Sequence, residues 1–300
     1  MKSILWLLCF ISTPLWAQNY VDLLKIGYGQ TFSNDFENTL SSTEVSSLDI
    51  DLTAPVPLSK KQVLITGATY GKYRLQLAPE AAYSNLFSTT LKLGLASTYS
   101  ETWSSTLVLL PKIASDYKNI TGNDFYLGGF ALLKYQKNQQ LTYRMGAYAS
   151  QEAFGFFAVP IFGAYYLSPN ERFEMDLSMP ISGDINYRLS KVSLGMDYYG
   201  IGRSFNLTGA NTQNVYVDVS SLDFALYAQI AALENSVLLR AKLGYATTDF
   251  EVYQQGDTVP FTLSAFSFGD NRTQLNPTIS GGLYFRVEAL YRFHLGNPKQ

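Results

Sequence analysis

Leu283-Tyr-Phe-Arg-Val-Glu-Ala-Leu-Tyr-Arg-Phe-His-Leu295 alternates with a period of two. Its odd positions, Leu283, Phe285, Val287, Ala289, Tyr291, Phe293 and Leu295, are all apolar, while its even positions hold Tyr284, Arg286, Glu288, Leu290, Arg292 and His294. Successive side chains of a β-strand point to opposite faces. One face of this run is therefore greasy throughout, and the other carries four ionisable groups. A strand that crosses a bilayer needs about 9–11 residues, and this one is long enough. Arg or Lys on the lipid face at the midplane costs roughly 2–4 kcal/mol, so the charged face belongs in a lumen.

The same pattern recurs upstream. In 236–253 the apolar set Val237, Leu239, Ala241, Leu243 and Tyr245 alternates with Arg240, Lys242 and Gly244. In 171–179, Phe173, Met175, Leu177 and Met179 alternate with Glu174, Asp176 and Ser178. In 141–150, Leu141, Tyr143, Met145 and Ala147 alternate with Thr142, Arg144 and Gly146. The expected fold is all-β: an antiparallel up-and-down transmembrane β-barrel. Its strands are expected over 21–30, 44–54, 61–77, 86–98, 103–113, 125–136, 141–150, 156–167, 171–179, 184–190, 192–204, 215–230, 236–253 and 281–295, fourteen in all. Segments 171–179 and 184–190 are short and are separated by Pro180 and Gly183, so twelve strands is the alternative. A parity switch between Val219 and Leu222 predicts a bulge at Ser220–Ser221. A soluble exported β-sandwich also alternates, but its strands run to about 5–6 residues, roughly half the lengths here.

Residues 1–17 read as a cleaved export signal, with Lys2, an apolar core from Ile4 to Ile11, and Ala17 before the cut. That leaves 18–300 as one domain, whose expected place is the bacterial outer membrane. Cys9 leaves with the signal, so the remaining chain has no cysteine and no disulfide framework. The formal charge of −2 becomes −3 without Lys2, with 21 basic against 24 acidic residues. This is too mild to imply a nucleic-acid partner. Aromatic residues make up 15%, with 22 Tyr and 19 Phe, and charged residues only 15%, against about 25% charged in a soluble domain. That balance suits a wall that meets lipid and has aromatic rings at both interfaces. Beyond the signal no apolar run reaches transmembrane-helix length, and the uncharged stretch Ala153 to Leu167 is interrupted by Pro160.

Asp176-Leu-Ser-Met-Pro180, followed by Asn186-Tyr-Arg-Leu-Ser190-Lys-Val-Ser-Leu-Gly195, resembles a family of outer-membrane β-barrels common in Bacteroidota and known only as a domain of unknown function. There a strand ending in Leu-x-x-Pro is followed by a Tyr-Arg-Leu strand, a turn and a Ser-Leu-Gly strand. The resemblance implies fold and location, and brings no catalytic residues. The closing strand is also similar to the C-terminal signal read by the barrel assembly machinery, an expected partner together with outer-membrane lipid. It departs from that signal in running on past Phe293 to Gln300.

Enzymatic chemistry finds little to work with. His294, at the short-turn end of the last strand, has Ser236 and Asp22 as triad candidates, yet a triad is defined by geometry and not by neighbouring strand ends. One His and no mature Cys cannot build a zinc site. Gly200-Ile-Gly202 lacks the third glycine of a nucleotide fingerprint. No catalytic, cofactor or metal residues are expected, and no enzyme activity.

The lumen is the more informative feature. By parity the basic residues facing it are Lys25, Lys72, Arg74, Lys92, Lys134, Arg144, Arg188, Arg240, Lys242, Arg286 and Arg292. The acidic ones are Asp49, Asp51, Glu174, Asp176, Asp197, Asp218 and Glu288. Eleven against seven predicts a basic interior, and rings of Arg and Lys favour anions. Alternatively these charges pair across strands, as Asp176 with Arg188, and tie the wall together. From Phe156 to Leu167 both parities are apolar, so Phe156, Phe162 and Tyr166 are expected as an apolar lumen wall, with a bulge at Pro160. Loop 254–280 is greasy enough to pack on that wall. The expected function is a pore or transporter for small solutes with a weak anion bias. The alternatives are a structural or surface-interaction barrel with a plugged lumen, and a carrier of apolar molecules.

Overall fold

The computed structural model describes residues 20–208 and 214–294. The expected export signal and the run from Leu295 onward lie outside these residues. Fourteen strands close into a single antiparallel barrel. They are β1 (Tyr20–Thr31), β2 (Ser46–Pro57), β3 (Gln62–Leu75), β4 (Ser84–Thr98), β5 (Trp103–Ser115), β6 (Phe125–Gln136) and β7 (Leu141–Glu152). There follow β8 (Gly155–Leu167), β9 (Phe173–Met179), β10 (Ser182–Arg188), β11 (Val192–Leu207), β12 (Val215–Ala232), β13 (Val237–Ala246, resuming over Asp249–Gln254) and β14 (Gly282–His294). β14 closes on β1, from Tyr20 opposite His294 to Thr31 opposite Tyr284. β9 and β10 pair with each other and with β8 and β11, which removes the twelve-strand alternative.

The period of two sorts the two faces. Along β14, Leu283, Phe285 and Val287 are exposed on the outside, whereas Tyr284, Glu288 and Leu290 are buried inside. Every second residue of β11 below Tyr198 does the same, with Leu194 and Met196 outward and Ser193 buried. An outer surface this apolar needs lipid or detergent around it. Purified protein is therefore expected to stay folded only in detergent, to give a β-rich circular dichroism spectrum, and to migrate faster unheated than boiled on a denaturing gel. A detergent-free monomer in water overturns the transmembrane assignment.

One hairpin shapes the rest of the lumen. β9 and β10 have seven residues each, a rise of only about 23 Å, so they stop short of the loop-bearing rim. β8 meets β9 only from Phe162 to Leu167, and β10 meets β11 only up to Tyr199. Above these points the wall has no strand between β8 and β11. The free edge of β8 is instead paired in parallel by Thr262 and Leu263, which lie in a small loop hairpin of Phe261–Leu263 with Phe266–Phe268. Pro160 sits in this edge half of β8, where a missing N–H is tolerated. The pairing of β8 with β7 runs from Gly155 opposite Glu152 to Tyr166 opposite Leu141 without a slip, so the bulge expected there does not form.

The loop-side halves of β11 and β12, with Asp249–Gln254 of β13 paired along β12, fold into the barrel mouth. Their mutual register is unbroken from Val192 opposite Ile230 to Leu207 opposite Val215, so the bulge expected at Ser220–Ser221 does not form either. The parity switches there because both faces of the ribbon are covered: Tyr216, Val217, Asp218 and Val219 are all buried. On one face Phe205, Val217, Val219, Phe250 and Val252 pack against Leu75, Leu86, Ala114 and Tyr126 of the far wall. On the other, Tyr216 and Tyr253 pack against Phe154, Phe157 and Val159. Burying one such side chain is worth roughly 1.5–3 kcal/mol, so the ribbon forms an apolar cap held from both sides.

Candidate functional site

Glu288 of β14 is the hub of the lumen beneath the cap. Its carboxylate lies 3.2 Å from Lys25, 3.2 Å from Lys242, 2.8 Å from Arg286 and 3.9 Å from Arg240. Those cations reach on to further acids: Arg286 to Asp49 at 2.9 Å, Arg240 to Asp184 at 3.0 Å, and Lys242 to Asp197. The Arg240 guanidinium also lies 3.9 Å over the Tyr227 ring and donates to Gln229. Arg144 pairs with Asp176 at 2.8 Å. Arg188 stands on the lumen parity, opposite the buried Ser193. Nearest the termini, Arg292 donates to Asp22 at 2.6 and 3.0 Å and covers the Tyr20 ring. Tyr20 and Tyr165 each donate a hydroxyl hydrogen bond to Glu174, at 2.5 and 3.0 Å, which ties β1 to β8 and β9 across the lumen.

The structure thus brings Arg144, Arg240, Lys242, Arg286, Glu288 and Arg292 together as lumen groups, and it corrects three other expectations. Lys72 and Arg74 lie outside the lumen, because Tyr73 and Leu75 take the inward positions of β3. The two cations lie over the Phe87 and Tyr83 rings instead. The inward positions before Tyr73 include Gly67 and Gly71, which have no side chain to reveal the phase. Phe156, Phe162 and Tyr166 face outward, and the inner wall of β8 is Phe157, Val159, Ile161 and Tyr165. Both parities are apolar there, so only the register decides: Gly163 lies opposite Arg144 and Phe162 opposite the exposed Met145. Finally, Asp22, Glu152, Asp184 and Asp223 join the acidic set, and Lys112 and Arg203 the basic one. With these changes the basic excess disappears. Glu152 pairs with Lys112 at 2.7 Å. Arg203 shares the parity of Asp197 on one unbroken strand, the signal that identifies it as a lumen residue.

Two cavities lie in the lumen. The larger, about 580 Å³, is lined mainly by polar and charged groups, among them Asp49, Asp184, Asp223, Arg240 and Glu288. The second, about 450 Å³, has Val108, Leu110, Phe130, Tyr148 and Ile201 on its walls, with Lys92 and Lys112. Tyr199 and Arg203 of the inward-folding strand border both. The triad candidates are engaged elsewhere: the His294 ring is paired with the Asn235 carbonyl at 3.2 Å, and Asp22 is held by Arg292.

The cap is fastened from above by Arg272 of the loop between β13 and β14. Its guanidinium donates to Asp218 and the Tyr216 hydroxyl, both at 2.9 Å, and to Asp270 at 2.8 and 3.0 Å. It also lies 3.9 Å over the Tyr253 ring. Burial alone would lower its affinity for a proton, but the bonds to Asp270 and Tyr216 and the Asp218 charge raise it further. The same guanidinium holds the Asp270 carboxyl below the usual range.

Fold and lumen together define a transmembrane β-barrel with an inward-folded cap over a charge-lined interior. The chain belongs to the family described as Domain of unknown function (DUF6268), whose model matches residues 46–248. No curated protein sequence matches it. Among solved structures it is similar to the COG4313 outer membrane channel from Pseudomonas putida F1, at 10% identity and a TM-score of 0.47, covering 94% of this chain and 100% of that one. It is also similar to the NanC porin, at 8% identity and a TM-score of 0.36, covering 89% of this chain and 98% of that one. A third similar structure is the CymD monoaromatic hydrocarbon channel, at 11% identity and 0.33, covering 91% and 89%.

Proposed function

We propose that this protein is a gated outer-membrane pore for small polar solutes, closed in this conformation by the β11–β12 cap. The observation that carries the reading is the pair of lumenal cavities, about 580 and 450 Å³, the larger ringed by charged side chains, which meet at Tyr199 and Arg203. Charges held in a membrane-embedded lumen are costly unless paired or solvated, and here they surround space that solvent or solute can occupy. The matched acids and bases remove the argument for an anion bias. The cap itself favours a second reading, a barrel with a permanently plugged lumen and a structural role.

Planar-bilayer recording separates the two. Phe205→Ala combined with Phe250→Ala thins the cap from within, and this variant is expected to conduct in steps larger and longer than those of the parent protein. Its reversal potential in a salt gradient is expected near zero. If the variant inserts, shows the heat-dependent gel shift and still carries no current, the plugged-barrel reading replaces the pore.

A further inference from the structure

Arg203 differs from four other arginines of the lumen. Arg144, Arg240, Arg286 and Arg292 each hold a carboxylate at 3.0 Å or closer. Among the described residues, Arg203 has no carboxylate within the 4.0 Å of an ion pair, and its buried Nε has no hydrogen-bond partner. Its guanidinium lies 5.6 Å from the centre of the Tyr73 ring. The acids that act on it from farther off are Asp49 and Asp223. Asp49 is paired with Arg286 at 2.9 Å, and Asp223 accepts from Thr248 at 2.9 Å. A guanidinium is a five-donor fork that matches a carboxylate bidentately. Left without acceptors in a cavity wall, it presents an unused recognition surface.

The cavity around it sets what else a ligand must carry. Ser88, Thr69 and Tyr199 border both cavities together with Arg203, so polar groups accompany the guanidinium where the two spaces meet. The remaining wall of the 450 Å³ space is largely apolar: Ile65, Val108, Leu110, Phe130 and Ile201. The two lysines in that wall are already neutralised, Lys92 by Asp51 at 2.6 Å and Lys112 by Glu152 at 2.7 Å. The cation of that chamber without an ion pair is thus the Arg203 guanidinium, set against a largely apolar wall. Volume and composition fall within the range of small-molecule sites, which are mostly apolar with a few convergent polar groups.

From this we infer that Arg203 and the 450 Å³ chamber form a binding site for small monocarboxylates with an apolar body, such as aromatic or medium-chain acids. The carboxylate pairs with Arg203, and the hydrocarbon lies against Val108, Leu110 and Phe130. Under the pore reading this names the class of solute recognised on the way through. The site itself stands without that reading, because binding does not require conduction. The position also bears on the cap: Arg203 lies on the same face of the ribbon as Phe205, so an acid bound there sits at the cap's inner surface.

Calorimetric titration of the full barrel in detergent tests the inference, with benzoate, benzamide and inorganic phosphate as probes. Benzoate is expected to bind, benzamide and phosphate at least tenfold more weakly. The first lacks the charge and the second the apolar body. Arg203→Met is expected to weaken benzoate at least tenfold while keeping the heat-dependent gel shift, and Leu110→Trp, which fills the chamber and leaves the guanidinium, is expected to do the same. No benzoate binding at millimolar concentration, equal binding of benzamide or phosphate, or benzoate binding unchanged in Arg203→Met overturns it. If Arg203→Met fails to insert, Arg203→Lys, which keeps the charge but loses the fork, takes its place. Its benzoate binding is expected to fall several-fold, and an unchanged value overturns the site. Benzoate binding to a barrel that never conducts leaves the site standing and removes only the pore.

Discussion

Arg272→Ala should convert the closed barrel into one that conducts. The substitution removes charge-assisted hydrogen bonds to Asp218, Tyr216 and Asp270 and the stacking on Tyr253. It also leaves Asp218, a buried group, without its cation. Stripping the partner from a buried charge costs about 3–5 kcal/mol. That cost falls on the capped state alone if the ribbon swings free of the loop when the mouth opens. Since about 1.4 kcal/mol is a factor of ten in a population, the open state should gain roughly a hundredfold or more. Single-channel recording measures this directly as open probability. Liposome swelling with small sugars gives an independent reading. A variant indistinguishable from the parent in both assays refutes the clamp as the element that holds the cap.

The second large effect is expected on stability. Glu288→Gln leaves Lys25, Lys242, Arg286 and Arg240 facing one another around a neutral amide. Because the Glu288 side chain is 1% exposed, solvent cannot take over its role. The loss is expected at about 3–5 kcal/mol, read as a lower urea midpoint for the transition from the fast-migrating to the slow-migrating gel form. Lys25→Met supplies the contrast. Its side chain is 39% exposed, and pairs open to solvent are worth about 0–1 kcal/mol, so that variant should unfold close to the parent's midpoint. Equal midpoints for Glu288→Gln and the parent would mean that water fills the hub and screens it.

The sequence showed the wall. Fourteen strands, their order and the outward face of most of them follow from period-two alternation, because a lipid-facing charge is so costly that parity alone betrays it. The lumen positions of Arg144, Arg240, Lys242, Arg286 and Glu288 were legible for the same reason. Legibility failed where that penalty was silent. In β3 the inward positions include Gly67 and Gly71, so Lys72 and Arg74 fall to the wrong face. In β8 both parities are apolar, so alternation does not tell Phe156, Phe162 and Tyr166 from inward residues, and the register puts them outside. In β12 a two-sided apolar ribbon imitates a bulge. Arg203 was legible by parity beside Asp197, but its lack of a partner was not, since pairing depends on which acids the closed barrel brings near.

What the sequence by itself determined, then, is a local property repeated along the chain: which side of each strand tolerates lipid. What only the tertiary structure decided is the content of the lumen. The cap exists because two seven-residue strands end below the rim, so that β11 loses its wall neighbour above Tyr199, and the barrel mouth becomes the nearest place to bury both faces of the ribbon it forms with β12 and the upper part of β13. The charge balance, the two cavities and the unpaired Arg203 all follow from contacts between strands far apart in the chain. Period-two alternation records only the face a side chain takes, and not what it meets on the opposite wall.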